Sequence, residues 1–217
     1  MNKPVFLHVF DLDHTLVRCN SSFHFGKFLY QQGYISLSST LFSIANYSSH
    51  IFFNTSLSLL HEKIFKTLFI HKDVTLLQKL AKSFTEKWLN NMLYPPALQR
   101  LTEAKALNHT ILILSSSPDF LVAPIAQHLK IKHWKSTQYE INHEGNFSHV
   151  SLVMDAKNKV REFHKSCNRL SIPLSSTIAY SDSHLDIPLL KEAGKAVAVN
   201  PNKRLTLASK KFKWEIL

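Results

Sequence analysis

Apolar residues gather in four short runs along the chain, Val5 to Phe10, Ile111 to Leu114, Thr177 to Tyr180 and Ala196 to Val199. Each is continuous, where a strand with one wet face would alternate apolar and polar. They therefore read as strands of a parallel sheet covered on both sides. Helical spacing occupies the gaps between the later runs. PDFLVAPIAQHLK follows the second run, and KNKVREFHKSCNRL, with Val160, Phe163 and Leu170 along one face, precedes the third. Strands alternating with helices predict an α/β chain with a doubly wound, Rossmann-like parallel sheet as its core.

Between the first and second runs the pattern changes. From about Cys19 to Pro95 the chain is rich in Phe, Leu and Ser, and its clearest helix runs from about Asp73 to Leu93. Leu77, Leu80, Phe84, Trp88 and Met92 recur there three and four residues apart, Asp73 can cap the start, and Pro95-Pro96 stop the helix. Gly33 ends an earlier helix containing Phe25, Phe28 and Leu29. The organisation expected is a core of residues 1–18 plus 96–217, interrupted by a helical insertion at 19–95. Thr137 to Ile141 and Phe147 to Leu152 flank the turn-forming Asn142-His143-Glu144-Gly145-Asn146 and read as a small hairpin, and the terminal KWEIL as an edge strand.

With 217 residues, 45% of them hydrophobic, the chain can bury a substantial core. Lys and Arg outnumber Asp and Glu by 26 to 15, a net charge of +11 that attracts anions, phosphorylated metabolites among them. The basic residues are dispersed, the longest clusters being short ones such as Lys210, Lys211 and Lys213, and no zinc-finger or RNA-recognition signature accompanies them. A dedicated nucleic-acid site is therefore not expected. Cys19 and Cys167 lack metal-ligand spacing and favour a reducing compartment. The N-terminal apolar stretch is too short for a secretory signal, and no run approaches the roughly 18 residues of a membrane span. The expectation is a soluble, cytoplasmic protein without a membrane span. There is no GxGxxG or GxxxxGK, so a dinucleotide or P-loop site is not supported.

In an open parallel sheet, ligands bind beyond the carboxyl ends of the strands. The first strand ends in Asp11-Leu12-Asp13-His14-Thr15, the second in Ser115-Ser116-Ser117, and the third in Ser181-Asp182-Ser183-His184-Leu185-Asp186. Carboxylates crowded at one edge repel unless a cation or proton offsets them. Mg²⁺ suits them, taking one or two carboxylates together with waters and substrate phosphate. Asp11 and Asp13, two apart on a strand, can face the same ligand.

These residues carry a resemblance. FDLDHT resembles the DxDx[T/S] first motif of the haloacid dehalogenase superfamily, ILILSSS its second, a hydrophobic strand ending in Ser or Thr, and YSDSHLD its fourth, [G/S]D(x)3D. The chain is most similar to the phosphoserine phosphatase-like branch, subfamily IB, with a helical cap inserted after the first motif. The resemblance implies a Mg²⁺-dependent phosphomonoesterase working on a small phosphorylated substrate. It makes Asp11 the nucleophile that forms an aspartyl-phosphate and Asp13 the general acid and then base. Thr15, Ser115, Ser116 and a lysine form the phosphate-binding group, Thr15 supporting the loop and Ser115 bonding the phosphoryl oxygens. Asp11, Asp13, Asp182 and Asp186 form the metal-binding set, Asp186 as a partner behind Asp182 or an alternative to it. Lys159 aligns best as the third-motif lysine, and Lys157 is the alternative. Lysine and helix N-terminus together would favour a phosphate there.

Two departures bear on substrate. Leu185 stands where the branch often has Asn, and Asn20 where phosphoserine phosphatases place a glutamate that reads the substrate amino group, which counts against phosphoserine itself. Simpler readings exist for single features: aspartates after a strand make turns, serines before Pro118 cap a helix, and Phe23, Phe25 and Phe28 pack a helical core. Ser116 and Ser117 are balanced between contact and filler. A different class of function, a non-catalytic phosphate-binding or interaction protein on the same fold, would be signalled by loss of Asp11, Asp13, Ser115 or Asp182, and all four are present. The Phe- and Leu-rich insertion and the basic charge leave room for a lyso-lipid phosphate or a phosphoprotein as substrate.

Overall fold

A computed structural model describes residues 5–53 and 55–217, with the backbone alone over 50–53. In chain order the elements are β1 (Leu7–Phe10), α1 (Ser21–Gln31), α2 (Leu37–Phe53), α3 (Leu57–Leu68), α4 (Val74–Met92), α5 (Pro95–Ala106), β2 (Thr110–Pro118), α6 (Asp119–His128) and β3 (His133–Ile141). They continue with β4 (Phe147–Leu152), α7 (Ala156–Leu170), β5 (Thr177–Ser181), α8 (Ile187–Glu192), β6 (Lys195–Ala198), α9 (Lys203–Phe212) and β7 (Glu215–Ile216).

The strands form one sheet in the order β4-β3-β2-β1-β5-β6-β7, parallel throughout except where β4 runs against β3. All four residues of β1 are buried, which is why its sequence does not alternate. Leu7 and Val9 join Leu112, Leu114 and Phe163 in a cluster on one face of the sheet. Phe10 joins Ile111, Ile113 and Phe120 in the cluster on the other. This is the predicted doubly wound α/β core. Strand order reverses around β1, between β2 on one side and β5 on the other, and that opens a crevice beyond its carboxyl end.

Outside the core the structure refines the sequence reading. The predicted hairpin is an extension of the main sheet, because β3 pairs with β2 over its first half and with β4 over its second. In the turn, Gly145 takes φ +81° and Asn142 Oδ1 accepts the N–H groups of Glu144 and Asn146. The helix expected from Asp73 is α4, with the Asp73 carboxylate accepting the Leu76 N–H at 3.1 Å. Its buried face follows Leu77, Ala81, Phe84, Leu89 and Met92, while Trp88 is 39% exposed; the spacing had put Trp88 on the buried face. α4 ends before Pro95-Pro96, which begin α5, where a missing N–H costs nothing. Gly33, at φ +69°, follows the end of α1 as expected.

The inserted helices share their apolar packing with the sheet. Phe65 and Phe69 from the insertion meet Phe120, Tyr139 and Phe147 edge to face, with Phe65–Tyr139 centroids 5.2 Å apart and Phe69–Phe120 centroids 5.3 Å apart. The α3–α4 connection is also stitched to the β3–β4 hairpin through His71 N–H to Phe147 O, Phe147 N–H to Lys72 O and Val74 N–H to Gly145 O, at 3.0–3.2 Å. Where the chain leaves and re-enters the core, Arg18 N–H donates to Met92 O and Tyr94 N–H to Leu16 O. Among the described residues, no helix is long and apolar enough to cross a membrane.

Candidate active site

The ends of β1, β2 and β5 and the start of α7 meet in the crevice. Asp11 continues β1, its N–H bonded to Tyr180 O on β5. The next residues turn sharply: Thr15 and Val17 donate N–H groups back to Leu12 O, and His14 takes a left-handed φ of 58°. This turn delivers Asp13 to the start of α1, where Ser21 N–H donates to Asp13 Oδ1 at 2.7 Å. Ser117 Oγ donates to Asp13 Oδ2 at 2.7 Å, so both oxygens of Asp13 are engaged. The Ser22 hydroxyl lies 2.8 Å from Ser117 Oγ and extends this chain of polar contacts.

Asp155 caps α7 by accepting the Asn158 N–H at 2.8 Å, which sets the first turn so that Lys159 points inward. Lys159 Nζ lies 2.9 Å from Asp11 Oδ1 and 2.7 Å from Asp186 Oδ2, and Ser181 Oγ donates to the same Asp186 oxygen at 2.7 Å. Only 4% of Lys159, 8% of Asp11 and 2% of Asp186 is exposed. Charges this far from water persist only when paired. Lys157 is exposed at the cavity edge, so of the two candidate lysines it is Lys159 that meets the carboxylates.

Burial pushes the Asp11 carboxyl up to about 8 against the opposing pull of Lys159, with Asp186 and Asp182 adding repulsion. Burial also raises Asp182 to about 6, with His14 pulling it down and Asp186 pushing it up. Desolvation disfavours the Lys159 ammonium, yet Asp11 and Asp186 together hold it above the ordinary lysine range. The centre is thus a set of carboxylates only partly neutralised by one cation.

Asp11, Asp13, Ser115, Ser116, Lys159, Asp182 and Asp186 all line one cavity of about 1020 Å³. Thr15 does not. It is fully buried, and its hydroxyl donates to Asp182 Oδ1 at 3.3 Å and accepts the Asp182 N–H at 3.0 Å. It therefore shapes the loop and fixes Asp182 from outside the cavity lining. The buried Ser115 hydroxyl accepts the Ser117 N–H at 3.1 Å, and Ser116 Oγ donates to Met154 O at 2.9 Å. Sequence reasoning missed the engagement of Ser117 with Asp13 and of Ser181 with Asp186. Both residues sat inside the quoted motifs, so the signal was there. Among the described residues no three His, Cys, Asp or Glu side chains converge closely enough to hold an ion by themselves. The expected four-carboxylate metal set is divided: the Asp13 carboxylate is engaged by Ser21 and Ser117, and Asp186 Oδ2 by Lys159 and Ser181. Asp11 Oδ2 and Asp182 Oδ2 have no protein donor among the described residues.

A haloacid dehalogenase-like hydrolase family model matches residues 8–191. The chain is 26% identical over 212 residues to a phosphoserine phosphatase of Mycobacterium tuberculosis, covering 95% of this chain and 68% of that protein. It is 23% identical over 224 residues to a histidinol-phosphatase of Neisseria meningitidis, covering 97% of each. A solved structure of a Bordetella pertussis protein of unknown function shares the fold with a TM-score of 0.88 at 20% identity, over 99% of both chains. With a family match running from β1 into α8 and the motif residues gathered at one sheet edge, the chain belongs to the haloacid dehalogenase-like hydrolases.

Proposed function

We propose that this hydrolase cleaves phosphate monoesters through an aspartyl-phosphate on Asp11. The observation that carries the reading is Asp11 itself: it lines the cavity, its Oδ1 is held by Lys159, and its Oδ2 has no protein donor among the described residues. A carboxylate clamped on one oxygen presents the other as a positioned nucleophile. Asp11 Oδ2 attacks phosphorus, the bond from phosphorus to the alcohol oxygen breaks, and Asp13 supplies the alcohol's proton. Asp13 then takes a proton from the water that attacks the aspartyl-phosphate, releasing inorganic phosphate and regenerating Asp11. Ser21 N–H and Ser117 Oγ hold Asp13 in place through both steps. Ser115, and Ser116 through its place on the same loop, would meet the phosphoryl oxygens, where donors positioned in advance stabilise developing charge.

The donor set fits Mg²⁺: hard oxygens on Asp11 and Asp182, in a centre with more carboxylates than cations. Mg²⁺ held by these two residues would offset the charge of the carboxylates and of the equatorial phosphoryl oxygens. The inserted helices would cap the crevice and exclude water during turnover. The phosphatase activities named for the two sequence relatives support the phosphomonoester class.

The test is phosphate release with and without Mg²⁺ from a broad panel of phosphomonoesters, run on the native chain and on Asp11→Asn. Activity that requires both Mg²⁺ and Asp11 is expected. Release that survives in Asp11→Asn would reject this nucleophile, and a folded chain that cleaves none of the panel would reject the reaction.

A further inference from the structure

We infer that the substrate is a phosphate monoester with an extended apolar chain, whose head sits at Asp11 and whose chain runs along the inserted helices. The inference rests on the phosphomonoesterase reading and names the substrate class of that site. The cavity, at about 1020 Å³, is at the top of the range of roughly 300–1,000 Å³ that encloses drug-sized ligands, far more than a phosphate and three carbons need. Its polarity is divided by position. Every carboxylate that lines it belongs to the strand ends or to the start of α7: Asp11, Asp13, Asp155, Asp182 and Asp186. Among the described residues the insertion contributes no carboxylate to the lining. It contributes apolar wall over much of its length, including Phe25, Ile35, Ile64, Leu68 and Phe69, interspersed with hydroxyl and amide side chains and with Lys27 and His61.

An amino-acid phosphate would bring a buried ammonium into this wall, with no carboxylate on that side to meet it. Asn20 does not take that part. Its Oδ1 accepts the Phe23 N–H at 2.8 Å as the cap of α1, and its amide donates to Tyr47 Oη at 3.3 Å. Exposed apolar side chains also line the cavity: Leu185, 55% exposed and next to Asp186 in the chain, and Ile44 and Phe23, alongside the exposed Lys157. A ligand suited to this surface carries its phosphate at one end, no cationic group along its length, and a chain that is mostly apolar. A lysophosphatidate and an isoprenyl phosphate both meet that description.

The experiment is a chain-length series, butyl to dodecyl phosphate at concentrations below micelle formation, with lysophosphatidate, an isoprenyl phosphate and phosphoserine alongside. Burial is worth about 0.8 kcal/mol per methylene, a factor of about four, so kcat/KM should rise roughly two- to fourfold per carbon until the cavity is filled. Ile64→Asn should lower the dodecyl-to-butyl ratio by about tenfold or more, the removal of one apolar contact replaced by a polar side chain. The same series is titrated calorimetrically into Asp11→Asn, so that affinity is read without turnover. Rising affinity with chain length in both proteins upholds the inference, and the two lipid arms then separate a glycerol-linked chain from a free isoprenoid. A flat series, or phosphoserine preferred over dodecyl phosphate, overturns it. If affinity rises with chain length while the native chain cleaves no ester, the hydrolase reading falls and the apolar-chain ligand stands.

Discussion

Replacing Asp11 by Asn should abolish turnover and at the same time make the metal-free protein more stable, increasingly so as pH rises. Asp11 ionises at about 8 in the fold against 3.8 unperturbed, so between those values the folded state holds a proton that the unfolded state has released. Stability therefore falls as pH rises through this window. Each pH unit within it is worth about 1.4 kcal/mol, so the native chain should lose about 3 kcal/mol from Asp11 between pH 5 and pH 7, an upper figure for a group that interacts with its neighbours. Asn keeps the size and cannot ionise, while Lys159 retains its 2.7 Å pair with Asp186. Asp182 shifts in the same direction in both proteins and largely cancels in the comparison. For a chain of this length the gap corresponds to roughly 5–10 °C in Tm. The assay is thermal unfolding of both proteins in chelator at pH 5, 6 and 7. A difference in Tm that stays flat, or moves the other way with pH, would refute the argument that Asp11 is an under-neutralised carboxylate. Excess Mg²⁺ should narrow the gap, stabilising the native chain by about 2.7 kcal/mol at a hundredfold over Kd and the variant by less.

Ser117→Ala removes the only side-chain donor to Asp13 among the described residues and should lower kcat by roughly ten- to a hundredfold with KM little changed, read by steady-state phosphate release. An unchanged kcat would mean that Ser21 N–H alone holds Asp13. His8 lies buried between Tyr180 Oη at 3.0 Å and His109 Nδ1 at 3.1 Å, and burial, with help from His109 and Arg100, lowers it to about 4. Here the unfolded chain binds the extra proton between about pH 6.5 and pH 4, so up to about 3 kcal/mol of stability is lost as pH falls through that window. His8→Phe should flatten this acid limb in urea unfolding, and a limb of unaltered slope would reject the assignment.

How much of this was legible in the sequence depended on whether a feature is set by nearest neighbours along the chain or by what the fold brings across. The strand ends were readable because β1, β2 and β5 are buried on both faces and so leave uninterrupted apolar runs, and the residues after them had to line the crevice. α4 was readable from its cap and period, although the period alone misplaced Trp88, because Ala81 and Thr85 share the buried face and small residues leave little trace in an apolar count. α2 and α3 were not separable, since the Ser-rich stretch that runs through α2 into the start of α3 carries no single period. Lys157 and Lys159 lie two residues apart in one helical turn, and only burial distinguishes them. Which carboxylates of the expected metal set are already engaged is hidden from the sequence for a related reason. Composition shows how many carboxylates gather, while only the fold shows that Asp13 and Asp186 already have donors.

Backbone pairing fastens the insertion to the sheet at two places: the paired segments where it leaves and re-enters the core, and the α3–α4 connection sewn to the β3–β4 hairpin. Two fixed points define an axis. Moving the insertion bodily away from the sheet would break both sets of backbone bonds at once. A swing about the line joining them strains neither, and it displaces most the parts farthest from that line. Helix α2 carries the exposed Leu37, Leu41 and Phe42 and is tied into neither fastening, whereas α1 is held at Ser21 and Ser22 by Asp13 and Ser117. Traffic to and from Asp11 would then pass on the α2 side, with the seam at the hairpin staying shut, and amide exchange at His71, Val74 and Phe147 would be as slow as in the sheet while α2 exchanged faster.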